Sequence, residues 1–155
     1  GLMDGKGDNN FKPKDNITRA EFATLLVRLK GYDVKDAKNE VFTDVKPNAW
    51  YYNSVMKAYE EGIINGKGEN KFAPNEPITR EEMAAMLARL IDSEEDIKKQ
   101  EIKDISKASP WAVDSIDVVY KLGIMTGSNK NFEPKNLVSR EMAATTIVRV
   151  YELNK

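Results

Sequence analysis

Three arginines occupy the same place at the start of three predicted helices, where a guanidinium could bind an anion. The arginines and the residues before them are Thr18-Arg19, Thr79-Arg80 and Ser139-Arg140. Threonine and serine are preferred N-cap residues, so each arginine lies where the helix dipole disfavours a cation by roughly 0.3–1 kcal/mol. Free backbone N–H groups and a guanidinium can converge on one carboxylate or phosphate. The pattern therefore predicts three anion receptors.

A structural role is the alternative for these arginines. Each can pair with a nearby carboxylate such as Glu81 or Glu141, or bond to a loop carbonyl, and simply close the structure. A second set of arginines also recurs in register, one position off an apolar stripe, and there we favour the structural role. This second set is Arg28, Arg89 and Arg149.

The composition excludes most catalytic chemistry. The 155 residues contain no histidine and no cysteine, which removes imidazole catalysis, cysteine nucleophiles, disulfides and most zinc sites. Glu81 and Glu82 are neighbours on one predicted helix face and do not oppose each other across a bond, as glycoside hydrolysis requires. We therefore predict a protein with no catalytic residues, no cofactor and no bound metal.

Charge and hydropathy limit the partners. Lys and Arg number 24 against 25 Asp and Glu, so a net charge of −1 gives no long-range attraction to nucleic acid or anionic lipid. No apolar run approaches the roughly 20 residues that span a bilayer, so no membrane insertion is predicted. The chain begins within a repeated pattern, from which we expect the natural protein to continue upstream.

An internal repeat organises the chain. Residues 1–29, 62–90 and 123–150 align with one another, and a first half-unit precedes only the second and third copies, at 42–61 and 102–122. We predict one domain over 1–155. Within it, the predicted units are the second half of repeat one at 1–33, repeat two at 41–91 and repeat three at 101–153.

Each half-unit carries helix signals. In the first half, Asn48 and Ser109 are predicted N-caps, and Gly62 and Gly123 are predicted to end the helix in the left-handed region. The predicted apolar stripes of these helices are Trp50, Val55, Ala58 and Tyr59, and Trp111, Ile116, Val119 and Leu122.

The second half-unit combines a long loop with a capped helix. Phe72 and its counterparts are predicted to anchor the loop. Thr18 with Glu21, and Thr79 with Glu82, form predicted capping boxes, whereas the third copy has Ser139 but Met142, so its box is half missing. Neither helix of a unit can bury its apolar face alone, so the repeats must pack on one another.

Several spaced elements together resemble the S-layer homology repeat of bacterial surface proteins. They are Phe42-Thr43-Asp44-Val45, Trp50, Gly62-Ile63-Ile64-Asn65-Gly66, Phe72, Pro74 and Ile78-Thr79-Arg80-Glu81-Glu82. The resemblance implies a mainly α fold, in which tandem helix-loop-helix repeats pack as a pseudo-threefold spindle. It also implies an extracellular place on the bacterial cell wall or surface layer.

The resemblance further implies grooves that bind secondary cell-wall polysaccharides, often ones carrying pyruvate ketals. In the family the arginine of the Thr-Arg-Ala-Glu motif is the principal ligand contact, and it corresponds to Arg19, Arg80 and Arg140. Copy one lacks its first helix and copy three lacks part of its motif, so Arg80 is expected to hold the most complete site.

Each of the further candidate residues can be interpreted either as a ligand contact or as a structural residue. Trp50 and Trp111 can stack on a sugar or anchor the core. Asp44 and Asp104 can accept a sugar hydroxyl or cap the adjacent turn. The loop glycines can let backbone amides approach a ligand or merely allow a positive φ angle. These glycines are Gly5, Gly66 and Gly127.

The sequence thus predicts a non-catalytic module that anchors its parent protein on an anionic cell-wall polysaccharide. The alternative is an assembly module of a surface-layer protein. In that alternative the truncated repeat leaves apolar surface unmatched, so the chain forms a homodimer or exchanges a segment with another copy.

Overall fold

The described part of the chain is built from helices. The computed structural model describes residues 12–35, 37, 41–91 and 96–153. Within these residues the helices are α1 (Arg19–Lys30), α2 (Tyr52–Glu60), α3 (Arg80–Ile91), α4 (Val113–Lys121) and α5 (Arg140–Leu153). Two short 3₁₀ turns, Ile105–Lys107 and Pro110–Ala112, precede α4. The same residues form only isolated β-bridges. The predicted mainly α class is confirmed.

The helices α1, α3 and α5 belong to the second half-units, and their starts follow the predicted caps. The Thr18 hydroxyl accepts the Glu21 N–H at 3.1 Å, and the Glu21 carboxylate accepts the Thr18 N–H at 2.9 Å. Thr79 and Glu82 exchange the same two bonds. At α5, Ser139 accepts the Met142 N–H at 3.1 Å, and methionine cannot return the bond. Both capping boxes and the half box are confirmed.

The first-half helices α2 and α4 begin later than predicted. Asn48 is not an N-cap, because α2 begins at Tyr52 and Tyr51 precedes it without a side-chain cap. Ser109 precedes a 3₁₀ turn that Pro110 opens, and its side chain does not cap that turn. The prediction of these two caps is wrong. For Ser109 the reason is that its N–H and hydroxyl both bond to Glu81, at 2.9 and 2.7 Å.

The ends of α2 and α4 agree with the glycine signals. Gly62 and Gly123 directly follow the C-cap residues and have φ angles of +76° and +73°. Only glycine adopts this left-handed conformation without strain, and the turn lets the chain leave the helix and re-enter the core.

A ring of backbone hydrogen bonds joins the three segments that lead into α1, α3 and α5. The Ile78 N–H donates to the Ile17 carbonyl at 3.0 Å, and the Val138 N–H donates to the Ile78 carbonyl at 3.1 Å. The Ile17 N–H donates to the Val138 carbonyl at 2.9 Å and closes the ring. All three side chains are fully buried. The threefold arrangement of complete repeats stays a prediction.

The first-half helices pack on the second-half helix of the preceding repeat. α2 contacts α1, and α4 contacts α3 together with the 3₁₀ turn that precedes α4. Val55 and Ala58 of α2, and Ile116 and Val119 of α4, are completely buried as predicted. The core therefore runs continuously from one repeat to the next.

Candidate ligand-binding clefts

Each of the three arginines reaches into the repeat that follows its own in the ring. Arg19, at the start of α1, donates from Nε to the carbonyl of Phe72 at 2.8 Å and forms an ion pair through Nη1 with Glu82. Its guanidinium lies 4.8 Å from the centre of the Phe72 ring. The arginine thus helps to hold repeat one against repeat two.

Arg80 repeats these contacts with one difference. Its Nε donates to the carbonyl of Phe132 at 2.7 Å, Nη2 donates to the carbonyl of Thr126, and the guanidinium lies 4.7 Å from the Phe132 ring centre. Met142 takes the place that Glu82 holds beside Arg19, with its sulfur 3.0 Å from Nη1. Among the described residues no carboxylate pairs directly with Arg80.

Arg140 completes the set by forming an ion pair with Glu21 of α1. The partners of Arg19 and Arg140 are therefore the glutamates of the capping boxes in the next repeat. Of the partners named in the structural alternative, Glu81 pairs with Lys135 and Glu141 with Lys14, whereas loop carbonyls do accept bonds from Arg19 and Arg80. All three arginines are only 3–6 % exposed.

The cleft beside Arg19 has a volume of about 350 Å³ and opens to solvent. We call it the Arg19 cleft. It lies between the loop of repeat two, the helix α3 and the start of repeat three. Its lining residues are Arg19, Ile64, Asn65, Gly66, Lys67, Glu82, Ala85, Met86, Arg89 and Trp111.

The Arg19 cleft carries an excess of positive charge. Three cations, Arg19, Lys67 and Arg89, line it together with one carboxylate, Glu82. Lys67 Nζ lies 3.6 Å from Glu82 Oε2. Burial lowers the pKa of both Arg19 and Arg89, but a guanidinium titrates so far above neutrality that both keep their charge. An anion entering this cleft would therefore meet a net positive field.

One nitrogen of Arg19 is not engaged by the described part of the protein. Nε and Nη1 are used within the protein, whereas Nη2 makes no hydrogen bond to the described residues. No described buried side-chain nitrogen lacks a partner, so Nη2 is not fully buried. The arginine is thus fixed by two of its nitrogens and lines the cleft.

The tryptophans lie on the surface. Trp111 is 57 % exposed at the rim of the Arg19 cleft, and Trp50 is 66 % exposed outside both described clefts. Neither belongs to the buried stripe of its helix, because each lies in the turn before the helix begins. The core-anchor interpretation is therefore wrong for both. An exposed indole offers a flat apolar face next to charged groups.

The cleft beside Arg80, the Arg80 cleft, has a volume of about 320 Å³. Its lining residues are Arg80, Met125, Thr126, Ser139, Glu141, Met142, Thr145, Thr146 and Arg149. Neither tryptophan lines it. The sequence ranks Arg80 as the most complete site, whereas the geometry favours Arg19, whose cleft has an aromatic rim and one more cation.

The two predicted aspartates hold loops in place. Asp44 accepts the N–H groups of Phe72 and Ala73 at 2.9 and 2.8 Å. Asp104 accepts those of Phe132 and Glu133 at 2.7 and 2.8 Å. Both carboxylate oxygens of each aspartate are used, and neither aspartate lines a described cleft. This is a structural role, but the turn that each aspartate secures lies 28 residues away and is not adjacent.

The loop glycines are required by close backbone contacts. A Cβ on Gly66 would lie 2.7 Å from the Lys71 carbonyl oxygen, and one on Gly127 would lie 1.7 Å from that of Asn131. Neither glycine has a positive φ angle, so that interpretation is wrong for both. Gly66 also lines the Arg19 cleft. Gly5 lies outside the described residues.

Two cleft residues were not predicted as ligand contacts. Lys67 follows Gly66 in the loop and recurs as Lys6 in repeat one, but its counterpart in repeat three is Ser128, so the signal is incomplete. Arg89 was assigned a structural role, which it has, since Nη1 donates to the Ile63 carbonyl at 3.5 Å. It also faces the cleft. The recurrence of arginine at this position was the signal that pointed to it.

The comparisons with known proteins agree with this architecture. The model of the S-layer homology domain family matches residues 1–23, 41–84 and 101–144, which is more than half of the chain. The chain therefore belongs to the S-layer homology domain family. The family places it at the bacterial cell surface as a non-catalytic anchoring module.

Individual relatives are similar over almost all of this chain but over little of their own length. An exoglucanase named XynX from Acetivibrio thermocellus is 36 % identical over 97 % of this chain and 14 % of that protein. An endoglucanase from Bacillus sp. (strain KSM-635) is 37 % identical over 94 % and 16 %, respectively. The surface-layer 125 kDa protein of Lysinibacillus sphaericus is 31 % identical over 98 % and 13 %. The chain thus spans about one seventh of these relatives.

The described residues contain no group of three or more acidic side chains placed to hold a metal ion. None of the described helices is both long and apolar enough to cross a membrane.

Proposed function

We propose that this chain holds its parent protein on an anionic secondary cell-wall polysaccharide, and that the Arg19 cleft binds the acidic substituent of that polymer. A pyruvate ketal is the substituent we expect, since it presents a carboxylate on a sugar ring. The observation that carries the proposal is the combination of Arg19, Lys67 and Trp111 around one open cleft.

The chemistry of the cleft suits such a ligand. Arg19 is held by its contacts to Phe72 and Glu82, so it loses little side-chain freedom on binding. Hydrogen bonds from a guanidinium to a carboxylate are roughly twice as strong as neutral ones. The exposed face of Trp111 can pack against the sugar ring that carries the carboxylate.

The Arg80 cleft supplies a second, weaker receptor in the same proposal. No described carboxylate pairs directly with its arginine, which favours an anion, but no described indole lines this cleft to hold a sugar. Arg140 is a third candidate, although Gly5 and the rest of residues 1–11 lie outside the described structure. Several weak sites along one polymer would reinforce one another by raising the local concentration.

Two lysines of one loop test this function. Lys67→Ala removes a cation from the Arg19 cleft, whereas Lys71→Ala removes an exposed lysine of the same loop that does not line it. Binding to purified wall polymer would be measured with the native polymer and with polymer stripped of its acidic substituent.

We expect Lys67→Ala to weaken binding of the native polymer about threefold to tenfold, as the loss of one charge contact predicts, with no effect of Lys71→Ala. We also expect the stripped polymer to bind both variants and the parent equally weakly. Equal binding of native and stripped polymer by the parent protein would contradict the proposal.

A further inference from the structure

One of the three arginine contacts between repeats uses a sulfur in place of a carboxylate. In the other two, the arginine forms an ion pair with the capping-box glutamate of the next repeat. In this one, Nη1 of Arg80 donates to the sulfur of Met142 at 3.0 Å, while Nε and Nη2 donate to backbone carbonyls. A thioether sulfur is only a weak acceptor. Nη1 is therefore the least strongly bonded nitrogen of Arg80.

Met142 is also the most exposed methionine of the described chain. It is 37 % exposed and lines the Arg80 cleft. Met125 lines the same cleft but is buried. The four other described methionines are at most 3 % exposed, and they are Met56, Met83, Met86 and Met125. Met3 lies outside the described residues. The methionine that contacts a guanidinium is thus the one that a small reagent in the solvent reaches most easily.

A thioether in this position is open to oxidation by hydrogen peroxide, which yields a sulfoxide. A lone pair of the sulfur attacks one peroxide oxygen and the O–O bond breaks. The hydrogen of the transferred oxygen passes to the departing hydroxide, which leaves as water. The sulfur is oxidised and the peroxide is reduced. The side chain stays uncharged, but it gains an oxygen that carries partial negative charge and accepts hydrogen bonds.

The new oxygen has a cationic donor beside it. The sulfur of a sulfoxide is partly positive, so the Arg80 guanidinium repels the sulfur and attracts the oxygen. Methionine is unbranched and flexible, which lets the oxygen of Met142 turn towards Nη1. A hydrogen bond from an ionised donor to oxygen is stronger than the bond to a thioether that it replaces. The third contact would then resemble the two that end on a glutamate oxygen.

We propose that Met142 is a site of oxidation by peroxide and that its sulfoxide oxygen becomes the partner of Arg80 Nη1. The modification strengthens the contact between repeats two and three. It also satisfies a nitrogen of the Arg80 cleft and lowers the attraction of that cleft for an anion, a consequence that rests on the proposed glycan function. The family places the chain at the cell surface, outside the reducing cytosol, where a sulfur is exposed to oxidants.

Peptide mass mapping shows where the oxygen is added. The whole chain would be treated with dilute hydrogen peroxide and sampled over time. We expect Met142 to be oxidised at least roughly tenfold faster than Met125 and the other buried methionines, because oxidation follows exposure. The rates should become similar in urea, where the fold is lost. Similar rates in the folded protein would overturn the proposal.

Nuclear magnetic resonance of the oxidised protein identifies the donor to the new oxygen. Two donors compete for it, since the Ser139 N–H belongs to the capping box that Met142 leaves half missing. We expect the Arg80 guanidinium signals to shift and to exchange with solvent several-fold more slowly, with little change at the Ser139 N–H. A shift at Ser139 without one at Arg80 would overturn the proposal, because the oxygen would then complete the capping box.

Unfolding in urea measures the strength of the new bond. Met142→Leu is the matched control, because leucine keeps the apolar volume and cannot be oxidised. Mild peroxide treatment should raise the urea midpoint of the parent by about 0.3–0.5 M, as one added hydrogen bond predicts, and leave that of Met142→Leu unchanged.

Two results of this comparison would overturn the proposal. One is a parent midpoint that stays constant or falls on oxidation. The other is an equal rise in Met142→Leu, which would assign the effect to another methionine. None of these measurements uses polysaccharide, so their failure leaves the proposed function standing, and a failure of polymer binding leaves the oxidation site standing.

Discussion

Arg19 and Glu82 form a buried ion pair between two repeats, and the same arginine lines an open cleft. The side chain of Arg19 is only 5 % exposed and that of Glu82 10 %. A residue that the sequence indicates as a ligand contact is therefore also a structural link between the repeats. The two roles can be separated by experiment.

Removing one charge of this pair should lower the free energy of unfolding more than removing both charges. Arg19→Met leaves the Glu82 carboxylate buried with only the more distant Lys67, and the loss of one partner of a buried pair costs about 3–5 kcal/mol. Arg19→Met combined with Glu82→Gln removes both charges and keeps an oxygen for the Thr79 N–H. We expect the double variant to recover more than half of the loss in the free energy of unfolding, measured in urea.

One result of the double-mutant cycle would contradict this prediction. If the two single substitutions add without coupling, the arginine and the glutamate do not depend on each other. The pair would then not be the link between repeats one and two.

The carboxylate of Glu81 should make stability depend on acid pH. Burial acts to raise the pKa of Glu81, but the Ser109 N–H and hydroxyl bonds and Lys135 outweigh it and hold the pKa below the usual 4.5. A carboxyl with a lowered pKa contributes stability that is complete above its unfolded value and is lost as the pH falls through the folded value. The stabilisation is therefore expected to start declining below about pH 4.5 and to be lost only once the pH has fallen past the lower, folded value.

Glu81→Gln is the matched variant for this dependence. Its free energy of unfolding should be lower than that of the parent at pH 7, and the difference should shrink as the pH is lowered towards 3. Glu141→Gln, at the aligned exposed position, should change little. A difference for Glu81→Gln that is constant with pH would contradict the assigned ion pair.

Asp104 should matter for stability more than for ligand binding. Asp104→Ala leaves the N–H groups of Phe132 and Glu133 without acceptors, which costs about 1–3 kcal/mol for each buried group left unsatisfied. We expect thermal unfolding at a lower temperature, with polymer binding below that temperature close to that of the parent. A large loss of polymer binding in the folded variant would contradict this prediction and indicate that Asp104 contacts the ligand.

The two exposed tryptophans allow a matched test of the cleft. Trp111→Ala removes the rim of the Arg19 cleft, and Trp50→Ala removes an indole that is equally exposed but lines neither described cleft. Both substitutions should change the free energy of unfolding by no more than about 0.5 kcal/mol relative to the parent, as for other surface substitutions. Polymer binding should fall more for Trp111→Ala, by roughly fivefold or more if sugar stacking contributes about 1 kcal/mol. Equal effects would show that the Arg19 cleft is not distinguished from the surface around Trp50.

Local features were predictable from the sequence because their causes are local. The capping boxes at Thr18 and Thr79 each lie within one turn, and Gly62 marks a helix end by its own backbone freedom. Phe72 recurs at the same place in its loop, and it is completely buried as predicted. The mainly helical class follows from the same signals.

The site was less predictable because its contacts join residues far apart in the chain. Arg19 and Glu82 are 63 residues apart, and the periodicity of one helix cannot indicate which repeat its arginine enters. The sequence therefore ranks Arg80 first, because its own repeat is the most complete one. The start of α4, which is later than predicted, has a similar origin. The Ser109 hydroxyl bonds to Glu81, 28 residues away, and does not cap the helix.

The central claim is that Arg19 recognises the acidic substituent of a wall polysaccharide. Its most direct test is calorimetric titration of the native polymer into the parent protein and into the folded Arg19→Met, Glu82→Gln double variant, with stripped polymer as the reference. We predict at least a roughly tenfold loss of affinity in the double variant for the native polymer and no change for the stripped one. Equal affinity of parent and double variant for the native polymer would contradict the claim.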